Sequence, residues 1–219
     1  MIKRILSIFG PDGSGKTTQV DRVSTYLKDR HDCVSKVWIK SPHTIALLIM
    51  TFLGRISPSS LYKAPSGAIL AHRLAQGNRV NGLLWSTIEI GGAIPKLIVN
   101  VYLPILFKRT IIADRFIPDT IAHVAYITRD NHFMHSFLAR TAISLVIRSS
   151  VFIFLDTDYT ELKRRRKEMI EPREYVDFIR EVYNDLSNTL GAARIDTTHV
   201  DAEETFKIIV ECIENAEYA

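Results

Sequence analysis

The chain has 219 residues, of which 47% are hydrophobic and 24% are charged, a composition that fits one soluble globular domain. Its net charge of +4 and isoelectric point near 9.1 suit a protein that holds polyphosphate, and no RNA- or DNA-binding motif accompanies the charge. Cys33 and Cys212 lie far apart without metal-type spacing and are expected as free thiols in a reducing cytosol. We therefore expect a cytoplasmic protein that does not bind nucleic acid.

The first predicted strand, residues 5–9, leads into a glycine-rich segment, which is followed by a predicted helix over residues 17–30. The segment reads Gly10-Pro11-Asp12-Gly13-Ser14-Gly15-Lys16-Thr17-Thr18 and matches G-x-x-x-x-G-K-[ST]. In this setting the backbone N–H groups and the helix N-terminus converge on one anion. Lys16 supplies charge to the β- and γ-phosphates, and the Thr17 hydroxyl is placed to bind Mg²⁺. The pattern predicts a site for ATP and Mg²⁺.

Further short apolar strands are predicted at residues 33–39, 110–113, 151–155 and 192–195, with helices between them. This alternation predicts an α/β fold: a three-layer domain with a five-stranded, mainly parallel sheet covered by helices on both faces. We expect a single domain over residues 1–219.

Residues 41–108 are long for one crossover, and we expect two or three helices there. Within them, residues 83–107 are apolar almost throughout, interrupted by Glu89, Lys96 and two prolines. The charges and prolines argue against a membrane span, so we expect no stable membrane insertion. We expect residues 83–107 to form either a buried, kinked helix or a dimer interface.

Two predicted strands end in aspartate, Asp114 and Asp156, and both acids are expected near the phosphate site because ligands bind beyond the carboxyl ends of strands. Asp114 can hold Mg²⁺, and its neighbour Arg115 can grip a phosphate. After Asp156 comes a helix, capped by Asp158 or Thr160, that ends in three arginines. Two interpretations of this basic run, Arg164, Arg165 and Arg166, are open: a solvated helix face, or part of a lid that closes over the triphosphate. We favour the lid, which would span residues 163–173.

These motifs resemble those of the thymidylate kinase family, in the phosphate loop, in Asp114-Arg115-Phe116 and over most of residues 151–213. The resemblance implies a homodimer that transfers phosphate from ATP to dTMP. It implies that Asp12 approaches the acceptor sugar, that Arg115 holds the acceptor phosphate beside Phe116, and that Asp196 precedes a loop flanking adenine. Family members with a small residue at the position of Gly13 take their catalytic arginine from the lid.

The acceptor region departs from the family pattern. Residues 38–43 replace an Arg-Glu-Pro-Gly segment, and Asp119-Thr120 replaces a Ser or Asn. The family reads thymine with an aromatic and an arginine. Trp85 could be the aromatic residue that stacks on thymine, or it could belong to the hydrophobic core; both interpretations remain open. Arg73 resembles the base-reading arginine locally, but it stands too far from Asp114 unless a helix is inserted.

Two other functions remain open. A kinase of the same fold could phosphorylate another nucleotide, a nucleoside or a small hydroxyl compound. A non-catalytic nucleotide switch is disfavoured because the chain lacks the guanine-reading motif Asn-Lys-x-Asp.

Overall fold

A computed structural model of the chain describes residues 4–30, 33–39, 41, 43–56, 62–63, 69–70, 79–166 and 171–217. Its centre is a five-stranded sheet in which every strand pair is parallel. The strands lie in the order β2-β5-β1-β6-β7, and their bounds are Ile5–Phe9 for β1, Val34–Val37 for β2, Thr110–Asp114 for β5, Ser150–Asp156 for β6 and Ala193–Asp196 for β7. The predicted fold class is confirmed. A separate antiparallel pair consists of β3 (Tyr62–Lys63) and β4 (Ile69–Leu70).

The central strand β1 is buried on both faces, because alternate side chains of a strand enter opposite layers. Leu6 and Ile8 pack on one side with helices α1 (Lys16–Asp29) and α9 (Ala202–Glu217). Ile5 and Phe9 pack on the other side, where the remaining large helices lie. Helices on both faces explain why the strands read as short apolar runs rather than alternating ones.

The inserted region between β2 and β5 contains several helices. Helix α2 spans Thr44–Ile56, and helix α3 spans Arg79–Leu97. A π-helical turn, Ile98–Tyr102, and the short helix α4, Leu103–Leu106, continue α3 without a break. The expected two or three helices are therefore present. Pro95 lies inside α3, and the π-helical turn follows it directly, as expected where proline removes a backbone hydrogen bond.

The run Arg79–Leu106 is 28 residues long, with a mean hydropathy of 1.3 over its most apolar window, so it is long and apolar enough to cross a membrane. Its inner face packs in the protein core through Ile90, Ala93 and Leu97. The expectation of a buried helix is only half right, because an outer row is exposed. This row contains Val80, Leu83, Leu84, Ile94, Ile98, Val99, Leu103 and Leu106.

The remaining helices are α5 (Ile117–Thr128), α6 (Phe137–Val146), α7 (Tyr159–Arg166) and α8 (Arg173–Leu190). Asp158 Oδ1 accepts the Glu161 amide N–H at 2.6 Å, so Asp158 caps α7, one of the two caps expected. Helix α7 and the start of α8 are the described parts of the expected lid, and residues 167–170 lie outside the described residues. The division into one domain with a lid stays a prediction.

Candidate active site

The phosphate loop lies between β1 and α1, as the sequence predicts. Gly10, Gly13 and Gly15 have φ values of 147°, 99° and 94°, which side-chain-bearing residues rarely adopt. A Cβ on Gly10 would stand 2.2 Å from the Leu155 carbonyl oxygen of β6, so no side chain fits there. The loop therefore packs directly on the end of β6.

Lys16 is buried, and its ammonium group is held by the loop itself. Nζ donates to the carbonyl oxygens of Gly10 and Pro11, each at 2.7 Å, and lies 3.8 Å from Asp12 Oδ1. The charge is thereby fixed at the mouth of the loop, where it can meet a triphosphate.

Thr17 and Asp114 meet at the carboxyl end of the sheet. Thr17 Oγ1 donates to Asp114 Oδ2 at 2.8 Å. A hydroxyl and a carboxylate at this distance are the oxygen ligands that Mg²⁺ prefers, and Mg²⁺ usually takes its other ligands from phosphates and water. Among the described residues no cluster of three His, Cys, Asp or Glu could hold a metal.

Arg115 has a φ of 75°, an uncommon conformation for a residue other than glycine. The conformation is held from both sides: the Ile39 amide donates to the Arg115 carbonyl at 3.1 Å, and the Phe116 amide donates to Asp119 Oδ2 at 2.9 Å. Asp119 Oδ1 also lies 3.5 Å from the Arg115 guanidinium and accepts the Tyr183 hydroxyl at 3.0 Å. Backbone strain of this kind is concentrated at functional sites.

Three cationic side chains converge on Asp12. Its Oδ1 pairs with Arg115 and lies near Lys16, while its Oδ2 lies 3.6 Å from Arg166. The cavity beside them, which Glu171 and Tyr175 also line, has a volume of about 20 Å³. This volume is smaller than any nucleotide, so this cavity as it stands does not hold the acceptor.

The three arginines of α7 have different surroundings. Arg164 is 75% exposed and forms a bidentate pair with Glu161. Arg165 donates to the Thr197 carbonyl at 2.5 Å and to the Gly13 carbonyl at 3.4 Å. Arg166 reaches Asp12, and a Cβ on Gly13 would stand 2.9 Å from its Cδ. Hydrogen bonds from Arg164 and Arg165 lower the pKa of Glu161 to about 2. Arg165 and Arg166, but not Arg164, contact the phosphate loop.

The second strand-end acid, Asp156, does not face the phosphate site as expected. Its oxygens accept Arg180 Nε at 2.8 Å and Arg194 Nη2 at 2.6 Å. Burial raises the pKa of Asp156, but the bonds from these two arginines outweigh it and hold the pKa below its usual range. Asp156 therefore fastens α8 and β7 to the sheet.

The loop after β7, which the resemblance places beside adenine, contacts the phosphate loop. Its place beside adenine stays a prediction. Thr197 Oγ1 bonds to the Ser14 carbonyl at 3.3 Å and to Thr157 Oγ1 at 2.6 Å. Asp196 Oδ1 accepts the Thr198 amide at 2.9 Å, which fixes the turn. Thr197 was not recognised as a site residue from the sequence. Its position just after the carboxyl end of a strand could have indicated it, because ligands bind there.

Two expected acceptor residues lie in the core. Phe116 is wholly buried in the main hydrophobic cluster, so its assignment to the acceptor site has no support from this structure and stays a prediction. Trp85 is 4% exposed and packs with Ala46, Met50 and Ile127, which favours its core reading. Arg73 lies outside the described residues, but α3 supplies an inserted helix between its position and Asp114. Asp119 was also not recognised as a site residue from the sequence. It is the third residue of α5, a position where an acid caps the start of a helix.

The parallel sheet, the phosphate loop with its buried lysine, and the arginine-bearing helix above it define a P-loop kinase, an ATP-dependent phosphotransferase. No protein-family model matches the chain. The chain is 27% identical over 217 residues to the "Probable thymidylate kinase" of Methanocaldococcus jannaschii, covering 98% of each chain. The chain is therefore similar to this curated relative along almost its whole length.

Three solved structures share the fold. Thymidylate kinase from Ehrlichia chaffeensis has a TM-score of 0.60 and 19% identity, with 97% of this chain and 98% of that chain covered. Thymidylate kinase from Candida albicans has a TM-score of 0.59 and 18% identity, with coverage of 97% and 91%. The YorR protein of Bacillus subtilis, in complex with phosphorylated GDP, has a TM-score of 0.56 and 16% identity, with coverage of 98% and 98%.

Proposed function

We propose that this protein is a nucleoside monophosphate kinase that transfers the γ-phosphoryl group of ATP to dTMP. The observation that carries the proposal is the convergence of Lys16, Arg115 and Arg166 on Asp12, at the mouth of the phosphate loop. Three cations around one point suit a transferring phosphoryl group, whose charge spreads over its equatorial oxygens. The curated relative, at 27% identity, bears the same activity in its name.

Each charged group has a proposed role. Lys16 binds the β- and γ-phosphates, and the loop glycines with Ser14 and Thr18 cradle them through the backbone. Arg115 leaves Asp12 to hold the acceptor phosphate, and Asp12 then becomes free to accept the acceptor's sugar hydroxyl. Arg166 approaches the transferring group, while Arg165 fastens the lid to the adenine-side loop. Because the chemistry is mostly positioning, closure of these groups determines the rate.

Mg²⁺ is proposed as the metal, with Thr17 and Asp114 on its protein side. It would neutralise charge on the phosphate oxygens. Thr17 would supply a hydroxyl ligand, and Asp114, which accepts the Thr17 hydroxyl at 2.8 Å, would orient it.

The test is ADP formation from ATP by the purified protein with a panel of nucleoside monophosphates: dTMP, dUMP, UMP, CMP, AMP and GMP. We expect the highest kcat/KM with dTMP, and no turnover when the divalent cation is chelated. Faster turnover with a different acceptor would move the assignment to the second candidate, a kinase of the same fold acting on another acceptor. The burial of Trp85 away from solvent favours that candidate, since thymine then lacks its expected stacking partner.

We also propose a homodimer, formed by the exposed row of α3. Val80, Leu84, Ile94 and Ile98 are 40–64% exposed. They follow the four-and-three spacing of a helix–helix seam, with Thr87 and Gly91 between them. Leu84→Glu should convert the dimer to a monomer in analytical ultracentrifugation. Phe137→Glu, at an exposed residue on α6, is the control and should leave the mass unchanged.

A further inference from the structure

A buried polar cluster joins α3, the chain after β2 and the first turn of α5. Glu89 Oε2 accepts the Ser41 hydroxyl at 2.5 Å and the His43 amide at 3.2 Å. His43 Nε2 lies 3.3 Å from Thr120 Oγ1. The side chains of Glu89, His43 and Thr120 are wholly buried. A Cβ on Gly92 would stand 2.8 Å from His43 Cβ, so glycine there makes room for the imidazole.

Three atoms of this region have no hydrogen-bond partner within the described part of the chain. They are Glu89 Oε1, His43 Nδ1 and Trp85 Nε1, and Trp85 lies one helical turn before Glu89 on the same face of α3. Each buried polar group without a partner costs about 1–3 kcal/mol, and native proteins contain few of them. A ligand that reached this place would complete their hydrogen bonds.

The cluster is continuous with the segment that holds Arg115. The Ile39 amide, two residues before Ser41, binds the Arg115 carbonyl. Thr120 follows Asp119, the residue that contacts the Arg115 guanidinium. The cluster and Arg115, the proposed acceptor-phosphate residue, are therefore supported by the same two backbone segments.

We propose that Glu89 and His43 read the base of the acceptor nucleotide, with Thr120 orienting the imidazole. The inference rests on the proposed function. In this structure the Thr120 hydroxyl also lies 3.4 Å from the Phe116 carbonyl, to which it can donate. In the proposed base-bound tautomer it turns to donate to Nε2, and the proton of the neutral ring lies on Nδ1, which donates to a base carbonyl. Glu89 Oε1 accepts a ring N–H. The imide edge of thymine offers these two groups side by side.

The electrostatics agree with this assignment. Burial, aided by the charge of Lys96, lowers the pKa of His43 to about 4, so the ring is neutral at pH 7. Burial also raises the pKa of Glu89. An N–H donor on Oε1 would favour the ionised form and bring that pKa down.

Matched variants separate base reading from positioning. Glu89→Gln can keep the bonds to Ser41 and His43 while putting an N–H where Oε1 stands. His43→Gln can keep the contact with Thr120 but loses Nδ1, whereas His43→Asn keeps a polar group near Nδ1 and loses Thr120. Glu181→Gln, an exposed residue of α8, is the control. The measurements are kcat/KM for dTMP, dUMP, dCMP and dGMP, KM for ATP, and Tm.

We expect Glu89→Gln to lower kcat/KM for dTMP about 10- to 100-fold, the scale of one hydrogen bond, and to raise the ratio of dCMP to dTMP. KM for ATP should stay within twofold and Tm should not fall. His43→Gln should lose more discrimination than His43→Asn. An equal loss with every acceptor, which leaves the ratio of dCMP to dTMP unchanged, would overturn base reading while leaving the kinase assignment standing. A wild-type protein inactive with every nucleoside monophosphate would overturn both proposals.

Discussion

Thr17 Oγ1 lies 2.8 Å from Asp114 Oδ2, although 97 positions separate the two residues in the chain. The contact exists because β5 pairs with β1 in parallel register, with Asp114 opposite Ile8. The end of β5 is thereby brought beside the start of α1. The phosphate loop and the Asp114-Arg115 segment are thus parts of a single site.

Lys16→Ala should lower kcat about 10³-fold or more, because it removes the charge at the mouth of the phosphate loop. Steady-state ADP formation measures the effect, and far-UV circular dichroism checks the fold. Lys28→Ala, at an exposed position near the end of the same helix, is the matched control and should retain wild-type turnover. Wild-type turnover by Lys16→Ala would mean that the site has been assigned wrongly.

The α7 arginines should differ in their effects. Arg166→Ala should lower kcat about 10²- to 10³-fold, because Arg166 lies beside Asp12 and has the proposed role of stabilising the transferring phosphate. Arg165→Ala should mainly raise KM for ATP, since Arg165 donates to the Thr197 carbonyl in the loop that we propose flanks adenine. Arg164→Ala should stay within about twofold of wild type, because Arg164 is largely exposed. An Arg164 effect as large as that of Arg166 would contradict this order.

Asp156→Asn should destabilise the protein by about 2 kcal/mol, because it removes the partner of Arg180 and Arg194 at a buried position. The folded pKa of Asp156 lies below its unfolded value, so this stabilisation is present at neutral pH and disappears as the pH falls through the folded pKa. Urea unfolding at pH 7 measures the difference. Asp177→Asn, whose partner Arg173 is 75% exposed, should cost well under 1 kcal/mol.

His43 should make the protein sensitive to mild acid. Its folded pKa of about 4 lies below the ordinary 6.5, so its contribution is complete above pH 6.5 and is lost as the pH falls toward 4. Between pH 7 and pH 5 the loss should be about 2 kcal/mol. Glu89, whose pKa is raised, acts in the opposite sense. Urea unfolding of wild type and His43→Gln at both pH values isolates the contribution of His43. An equal loss of unfolding free energy between pH 7 and pH 5 in the two proteins would refute it.

The strands and the phosphate loop could be predicted because local signals specify them. Short apolar runs predicted all five central strands to within about two residues at each end, and Asp158 was recognisable as a cap from its place before a helix. Trp85 and Phe116 could not be assigned in this way. An apolar residue on a helix or at a strand end faces either the core or a ligand, and periodicity is the same in both cases.

The chemistry of the donor site was determined by the sequence alone, because backbone amides, a lysine and a hydroxyl at fixed spacing specify a phosphate cradle wherever the strand–loop–helix unit forms. The tertiary structure decided which of the two strand-end aspartates lies at the phosphate loop. Asp114 and Asp156 both end strands that flank β1, but α8 and β7 bring Arg180 and Arg194 onto Asp156 alone. Only packing between distant segments could likewise gather Ser41, His43, Glu89 and Thr120 into one buried cluster, because their hydrogen bonds join positions that the sequence keeps far apart.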